Sequence, residues 1–466
     1  MKGELLIQGG TLVTASESTR ADLLVRDGKI ASIGSQLPNT STVIDARGKL
    51  VMPGGIDSHV HLQHPIDRLS IETADDFHTG TVAAACGGVT SIVDFALQRH
   101  GETLRQAVRR RLRDANDKPV IDYGFHIIVT DVRDDVLEEI PALIEEGFPS
   151  YKIYMTYADK VVHDDALLRL LEVTAANDGL AYLHCENDCA VNHLIHGFIS
   201  SGKTGPEFHP QSRPPLVEGE ATHRALVLGE LADAPLCIAH VTSSDALRHV
   251  QKARARGLPV VCETCPQYLV LTDNEYNPKR GFEAAKFVCS PPLRGAEHHE
   301  VLWEGLADGS IQQVASDHAP FRFTDQKEQG RGNFTRIPNG LPGIETRLAL
   351  IYTEGVKTGR LTQEEFVALV STQPARIFGM YPKKGSLQVG ADADLILIDP
   401  QRAIQIAHEK LHSNVDYSPF SGMLLYGMPT LTLSRGEVIN RDGVFDATAG
   451  RGEFIARDTC DRTRLP

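Results

Sequence analysis

Pro53-Gly54-Gly55-Ile56-Asp57-Ser58-His59-Val60-His61 marks the point where the rhythm of the chain changes. Before it, residues 1–52 read as short strands (5–7, 11–13, 22–25 and 29–33), punctuated by Gly9-Gly10, Asp27-Gly28 and Arg47-Gly48. Asp27-Gly28 is a strong hairpin signal, because such turns need positive φ. From Pro53 onward, short apolar runs alternate with amphipathic helices. The runs read as strands over 55–61, 90–95, 120–129, 151–155, 179–184, 236–240, 259–264 and 311–317, eight in all. Helices read over 103–115, 164–176, 218–231, 245–256 and 298–306. Leu167, Leu168, Leu170 and Leu171 give one of them the apolar stripe of a surface helix. Eight alternating units predict an α/β fold, a (β/α)8 TIM barrel spanning 53–385. The structural rival is a doubly wound open sheet, but no G-x-G-x-x-G follows a strand, so dinucleotide binding has no support.

Working outward, β character returns beyond about residue 380, with strand-period alternation over 393–399 and further runs at 430–434 and 438–439. The N- and C-terminal segments, 1–52 and 386–446, are therefore expected to share one small β-sandwich domain into which the barrel is inserted. The polar end, 447–466, reads as a mobile tail or an arm on a neighbouring subunit.

Composition narrows the class. Of 466 residues, 41% are apolar and 23% charged, an ordinary globular balance. A formal net charge of −14 would repel nucleic acid and anionic membrane, so neither is expected as a partner. No apolar run approaches the ~20 residues of a membrane span, and the N-terminus lacks the apolar core and cleavage site of a secretory signal. The expectation is a cytoplasmic enzyme with reduced thiols. Cys262 and Cys265 form a C-x-x-C, but it lies in a strand-like run with no second pair and reads as core.

Chemistry gathers at the strand ends. His59 and His61 lie two apart, so on a strand they point the same way and can share a metal. A lone H-x-H is weak, but Ala181-Tyr182-Leu183-His184, Leu236-Cys237-Ile238-Ala239-His240 and Val314-Ala315-Ser316-Asp317-His318 each end an apolar run in a metal-capable residue. Barrel enzymes place their chemistry at that face. Lys152, inside Ser150-Tyr151-Lys152-Ile153-Tyr154-Met155, is the odd member: an inward ammonium is costly and cannot ligate a metal. Spacing does not say whether it snorkels, pairs with a carboxylate or is neutralised by chemistry.

With these residues on the page, the chain resembles the cyclic amidohydrolases, and among them the dihydropyrimidinase and hydantoinase branch. The resemblance runs to about residue 445. It rests on the 53–61 motif, Asp75-Asp76-Phe77, Gly80 to Gly88, Lys152 with Tyr157, His184-Cys185-Glu186-Asn187, Glu263 to Leu269, Ser290-Pro291-Pro292-Leu293-Arg294, Ser316-Asp317-His318 and Asn339-Gly340-Leu341-Pro342-Gly343. It implies that Lys152 is carboxylated on its side-chain nitrogen to N6-carboxylysine. It further implies two divalent metals, one on His59, His61, Asp317 and the carbamate, the other on the carbamate, His184 and His240. Zinc is the first expectation, with manganese and cobalt as alternatives. A bridging hydroxide would attack the amide, opening a 5,6-dihydropyrimidine or 5-substituted hydantoin to an N-carbamoyl amino acid. Asp317 would move the proton, Tyr157 would steady the oxyanion, and the backbones of Ser290 and Asn339 would hold the ring edge. Relatives of this branch imply a homotetramer, or a homodimer, with the apolar stretch 417–426 between subunits. The alternatives are an allantoinase-like or other cyclic-amide hydrolase and a non-catalytic scaffold paralogue. A dihydroorotase would need an arginine soon after the H-x-H, where Gln63 stands. The loops 62–72 and 157–163 are expected to face substrate, with Leu62, Ile66, Leu69, Val161 and Val162 as apolar wall.

Overall fold

Eight parallel strands pair in chain order in the computed structural model, which describes residues 4–38, 40–462 and 465. They are β1 (Gly55–Asp57), β2 (Val89–Leu97), β3 (Asp122–Ile128), β4 (Ser150–Tyr154), β5 (Leu180–His184), β6 (Leu236–Ile238), β7 (Val260–Thr264) and β8 (Gln313–Val314). A parallel bridge between Val60 and His318 joins the first unit to the last and closes the ring. Strands such as β2 are buried along their whole length, as a sheet covered on one face by helices and filled on the other requires. The helix Leu104–Ala115 begins at Thr103, whose hydroxyl accepts from the Gln106 amide while the Gln106 side chain accepts from the Thr103 amide.

Several strands are shorter than their apolar runs. β1 stops at Asp57, β6 at Ile238 and β8 at Val314. The following residues leave the extended conformation: His240 and Asp317 take φ of 33° and 49°. His240 and Asp317 thus sit on bends just past their strands, whereas His59 and His61 flank the bridged Val60 and both reach Asp317, as their spacing of two leads one to expect.

The two ends of the chain do build one small β-domain. The strand Leu5–Val13 pairs in parallel with Thr42–Asp45 through residues 5–8, then with Leu50–Pro53 through Thr11 and Leu12. The switch falls at Gly9-Gly10, where Gly9 has φ +75° and a Cβ on Gly10 would meet the Val51 side chain at 2.7 Å. Leu50–Pro53 then pairs antiparallel with Leu395–Ile398, so hydrogen bonding makes one branched nine-stranded sheet. Leu5, Leu23, Val51, Leu395 and Leu431 share its core.

A buried ion cluster ties this domain to the barrel. The Lys384 ammonium lies 2.5 Å from Asp122 of β3, 3.0 Å from Asp392 and 2.7 Å from Asp394. Lys29 and Arg435 reach Asp392 and Asp122 from the outside. Lys384→Met strands the three carboxylates without their shared cation and is expected to destabilise the protein by about 3–5 kcal/mol. Burial already raises Asp394, and loss of the opposing Lys384 charge raises it further and removes the main charge that holds Asp392 low. Their cost is therefore full at neutral pH and relieved as pH falls toward the carboxylate range. Denaturant midpoints of parent and variant at pH 7.5 and 5.5 check this; a midpoint unchanged at both would show that Lys29 and Arg435 suffice.

The terminal segment, expected to lie free or on another subunit, instead runs across the floor of its own barrel. The Ile455 amide donates to Tyr123, Arg457 to Gly147 and Cys460 to Asp178, all near strand beginnings. Ile455, Arg457 and Cys460 are buried. Residues 463, 464 and 466 lie outside the described residues. The 417–426 stretch is also mostly internal: Tyr417, Phe420 and Leu425 are buried in this chain, and only Leu424 is fully exposed there among its apolar side chains. Among the described residues no helix is long and apolar enough to cross a membrane. Cys262 and Cys265 are free, buried core residues.

Candidate metal centre

Strands β4 and β5, which carry Lys152 and His184, and the segments just past β1, β6 and β8 bring His59, His61, His184, His240, Asp317 and Lys152 to one end of the barrel, at the floor of a single cavity or just beneath it. His59 Nε2 and His61 Nε2 lie 3.2 and 3.4 Å from Asp317 Oδ1. The rings of His184 and His240 are 4.5 Å apart, and those of His59 and His240 5.4 Å. Ligand atoms of His59, His240 and Asp317 all fall within 4.8 Å of one another. Burial lowers the pKa of all four histidines, most for His59 and His240, so they stand as neutral imidazoles with a lone pair to offer.

Two of the four imidazoles, His59 and His184, are oriented from behind by carboxylates. His59 Nδ1 meets Glu263 Oε1 at 2.6 Å, and the Tyr182 hydroxyl donates to Glu263 Oε2 at 2.6 Å. Glu263 Oε1 also accepts from the His240 backbone amide, so one carboxylate steadies two candidate ligands. Burial pushes the Glu263 carboxyl up to about 8 against the opposing pull of Tyr182 and Lys152. On the other side His184 Nε2 meets Glu186 Oε2 at 2.7 Å, and Arg213 donates to the same oxygen at 2.6 Å. Burial raises the Glu186 carboxyl, but Arg213 and His184 outweigh it and leave it at about 2. Carboxylates behind metal-capable histidines fix tautomer and ring plane.

Lys152 sits at the centre of this arrangement. Its side chain is fully buried, and Nζ has no hydrogen-bond partner among the described residues. It lies 4.3 Å from the centre of the Tyr182 ring. Burial lowers it to about 8 although Glu263 and Asp317 pull the other way, and its charge depresses every one of the four histidines. His61 Nδ1 and His240 Nδ1 are likewise buried and unpartnered. An orphaned amine ringed by neutral imidazoles and carboxylates is a donor set that fits divalent cations of the zinc or manganese kind. Asp122, Asp392 and Asp394 also converge, but the Lys384 ammonium already fills the space among them.

Above the floor the cavity encloses about 90 Å³. Tyr157 lines it with φ of 74°, a left-handed backbone that costs energy in a non-glycine residue and is held here beside two others, His240 and Asp317. Burial raises the Tyr157 hydroxyl, so it stays protonated and able to donate. Ser290 and Asn339 line the same cavity within hydrogen-bonding reach of Tyr157, with Asn339 Nδ2 donating to Ser290 Oγ at 3.2 Å. Of the expected apolar wall only Ile66 faces the cavity; Leu62, Leu69 and Val162 turn into the core. The mouth is polar instead, with His64, Arg68, Asp159 and Lys160. Glu263, Tyr182, Glu186 and Arg213 had no assigned role in the sequence. Glu186 carried a usable signal, two residues past His184, whereas Arg213 comes from a distant helix start and carried none.

Comparison with known proteins places these features among relatives. A family model described as the amidohydrolase family matches residues 50–439. A D-hydantoinase of Geobacillus stearothermophilus is 48% identical over 455 residues, covering 97% of this chain and 96% of that protein. A crystal structure of a D-hydantoinase superposes with a TM-score of 0.96 at 45% identity, covering 98% of this chain and 100% of the other. The crystal structure of dihydropyrimidinase from Brevibacillus agri NCHU1002 gives 0.95 at 44% identity, covering 98% and 99%.

Proposed function

This chain belongs to the amidohydrolase family, and from that membership and the site's geometry we propose that it hydrolyses a ring amide of the hydantoin or 5,6-dihydropyrimidine type to an N-carbamoyl amino acid. Water adds to the ring carbonyl, the C–N bond breaks, and the nitrogen leaves with a proton. The carrying observation is Lys152, a buried amine with no partner, felt by all four histidines of the floor. A bare ammonium there is costly. Addition of its nitrogen lone pair to the carbon of CO2, with loss of a proton to water, turns it into an N6-carboxylysine anion with two oxygens. His59, His61, His184, His240 and Asp317, with the Lys152 carbamate, would hold the cations. Two divalent cations, zinc first and manganese or cobalt as alternatives, supply the Lewis acidity that makes water a nucleophile at neutral pH and polarises the carbonyl.

The chain's own groups do the rest. Asp317, with Oδ1 beside both His59 and His61, takes the proton of the attacking water and passes it to the leaving nitrogen. The Tyr157 hydroxyl donates to the carbonyl oxygen as it gains charge. The backbones of Ser290 and Asn339 take the flat –NH–CO– edge of the ring. A cytoplasmic location is supported by eight free cysteines, seven of them buried. The homotetramer seen as usual for this branch is retained as the proposed assembly, with exposed Leu424 as a contact. The non-catalytic alternative has little support, since every ligand position carries a competent side chain.

Ring opening of hydantoin, 5,6-dihydrouracil and 5-phenylhydantoin by metal-loaded protein tests the reading, beside a chelated control. The expected result is activity on at least one that disappears on chelation and returns with metal. Two bound metals without activity would move the substrate to another cyclic amide; neither metal nor activity would favour the scaffold.

A further inference from the structure

The cavity has two electrostatic halves. Its floor is the histidine and carboxylate cluster. Its mouth carries two cations, Arg68 on the loop after the H-x-H and Lys160 on the loop after β4. The Lys160 ammonium is half-buried yet forms no ion pair or side-chain hydrogen bond among the described residues; it lies 5.4 Å from the centre of the Tyr154 ring. Arg68 spends one N–H on the Thr335 carbonyl at 2.7 Å and, among the described residues, pairs with no carboxylate. The two cations also feel each other: burial lowers the Lys160 ammonium, Asp159 opposes this, and Arg68 adds to it. Beside them stands His64, buried, neutral through burial and the nearby Lys160 charge, with Nδ1 unpartnered.

An unpaired ammonium turned toward a cavity rather than outward has a physical reason when a mobile anion completes it. Asp159 faces the same mouth but is largely exposed and salt-bridges neither cation. Asp67 and Asp159 both act on Lys160 from nearby, yet among the described residues neither forms an ion pair with Lys160 or Arg68, so the two cations keep free donors in a setting of low net charge, which suits a monoanion better than a dianion such as phosphate. Guanidinium and ammonium donors together match a carboxylate. A ring whose amide lies against the floor presents the substituent on its neighbouring carbon to the rest of the cavity.

We propose that Arg68, Lys160 and His64 form a subsite for a carboxylate on the 5-substituent, so that the substrate is a cyclic ureide bearing an acidic side chain. This rests on the ring-opening reading above and deepens it. The neutral and aromatic substituents of the test compounds then fit less well than a short acid.

The test compares 5-(carboxymethyl)hydantoin with its primary amide, which has the same shape without the charge. Binding by calorimetry and kcat/KM are both measured on metal-loaded protein. At low salt the acid is expected to be favoured by about tenfold or more, the usual worth of a hydrogen bond to a charged group. The preference shrinks at about 0.5 M salt. Lys160→Met and, separately, Arg68→Gln bring the acid-to-amide ratio toward one. Equal or weaker binding of the acid by the parent protein overturns the proposal, as does a ratio unmoved by both substitutions. Unsubstituted hydantoin is run alongside: failure to open it counts against the ring-opening reading, while the binding ratio still reports on the subsite.

Discussion

Asp317→Asn lowers kcat for ring opening by about two to four orders of magnitude, the span that a positioned acid–base group contributes, while the fold and metal content stay close to those of the parent. The asparagine keeps the size of the side chain and one carbonyl oxygen at the place where Asp317 Oδ1 faces His59 and His61. What it loses is the ability to carry a proton. KM should therefore change much less than kcat. Metal analysis of the same sample is essential, because a fall in occupancy would explain lost turnover without any proton transfer. Turnover within tenfold of the parent at full occupancy would assign the proton to another group.

Lys152→Met gives the second large effect, loss of turnover to background together with loss of bound metal. Methionine matches the length of the lysine stem but offers neither an amine to carboxylate nor an oxygen to share. Retention of two metals per chain would overturn the shared-carbamate reading. The stability effect runs opposite to that of most buried substitutions. In metal-free, CO2-free protein the folded Lys152 titrates near 8 rather than 10.5, because burial disfavours its charge. Each pK unit is worth about 1.4 kcal/mol, so the parent carries a penalty of order 3 kcal/mol below pH 8. The unfolded chain binds more protons between the two values, so the stability of the metal-free parent rises with pH across that window. The variant should be at least as stable as the metal-free parent at pH 7 and should lack that rise, which urea denaturation at pH 7 and 10 would reveal.

The sequence was most readable where one physical rule acts on contiguous residues. Apolar runs alternating with amphipathic helices gave the barrel, because each strand buries both faces and each helix one. The ends of those runs named five of the side chains now found at one end of it, and Lys152 stood out as a lysine inside a run. The reading failed where orientation depends on partners far away in sequence. Leu62 and Leu69 looked like pocket wall, yet Leu62 fills the space left by Gly80, and His64 and Arg68 between them turn to the cavity instead. The spacing of two placed His59 and His61 side by side, and both do face Asp317 Oδ1, but that Glu263 holds His59 from behind depends on a residue 204 positions on and was not legible. Residues 447–462 looked polar and free because composition reveals neither their backbone bonds nor the distant partners of Arg451 and Arg457. Lys384 draws Asp122, Asp392 and Asp394 from two separated stretches, a meeting no local pattern predicts.

The junction between Leu50–Pro53 and Leu395–Ile398 sets the order in which this molecule can be made. Some 340 residues separate the partners, so during synthesis the N-terminal strands emerge with an open hydrogen-bonding edge and wait for the entire barrel to be translated. Pairing across such a separation is slow, and an unpaired apolar edge is an invitation to association between nascent chains. The barrel can gather helix by helix as it leaves the ribosome, whereas the small domain closes only afterwards. Yield of native protein from a fast-translating host should accordingly be limited by that late step, and slower synthesis at low temperature gives it time to finish.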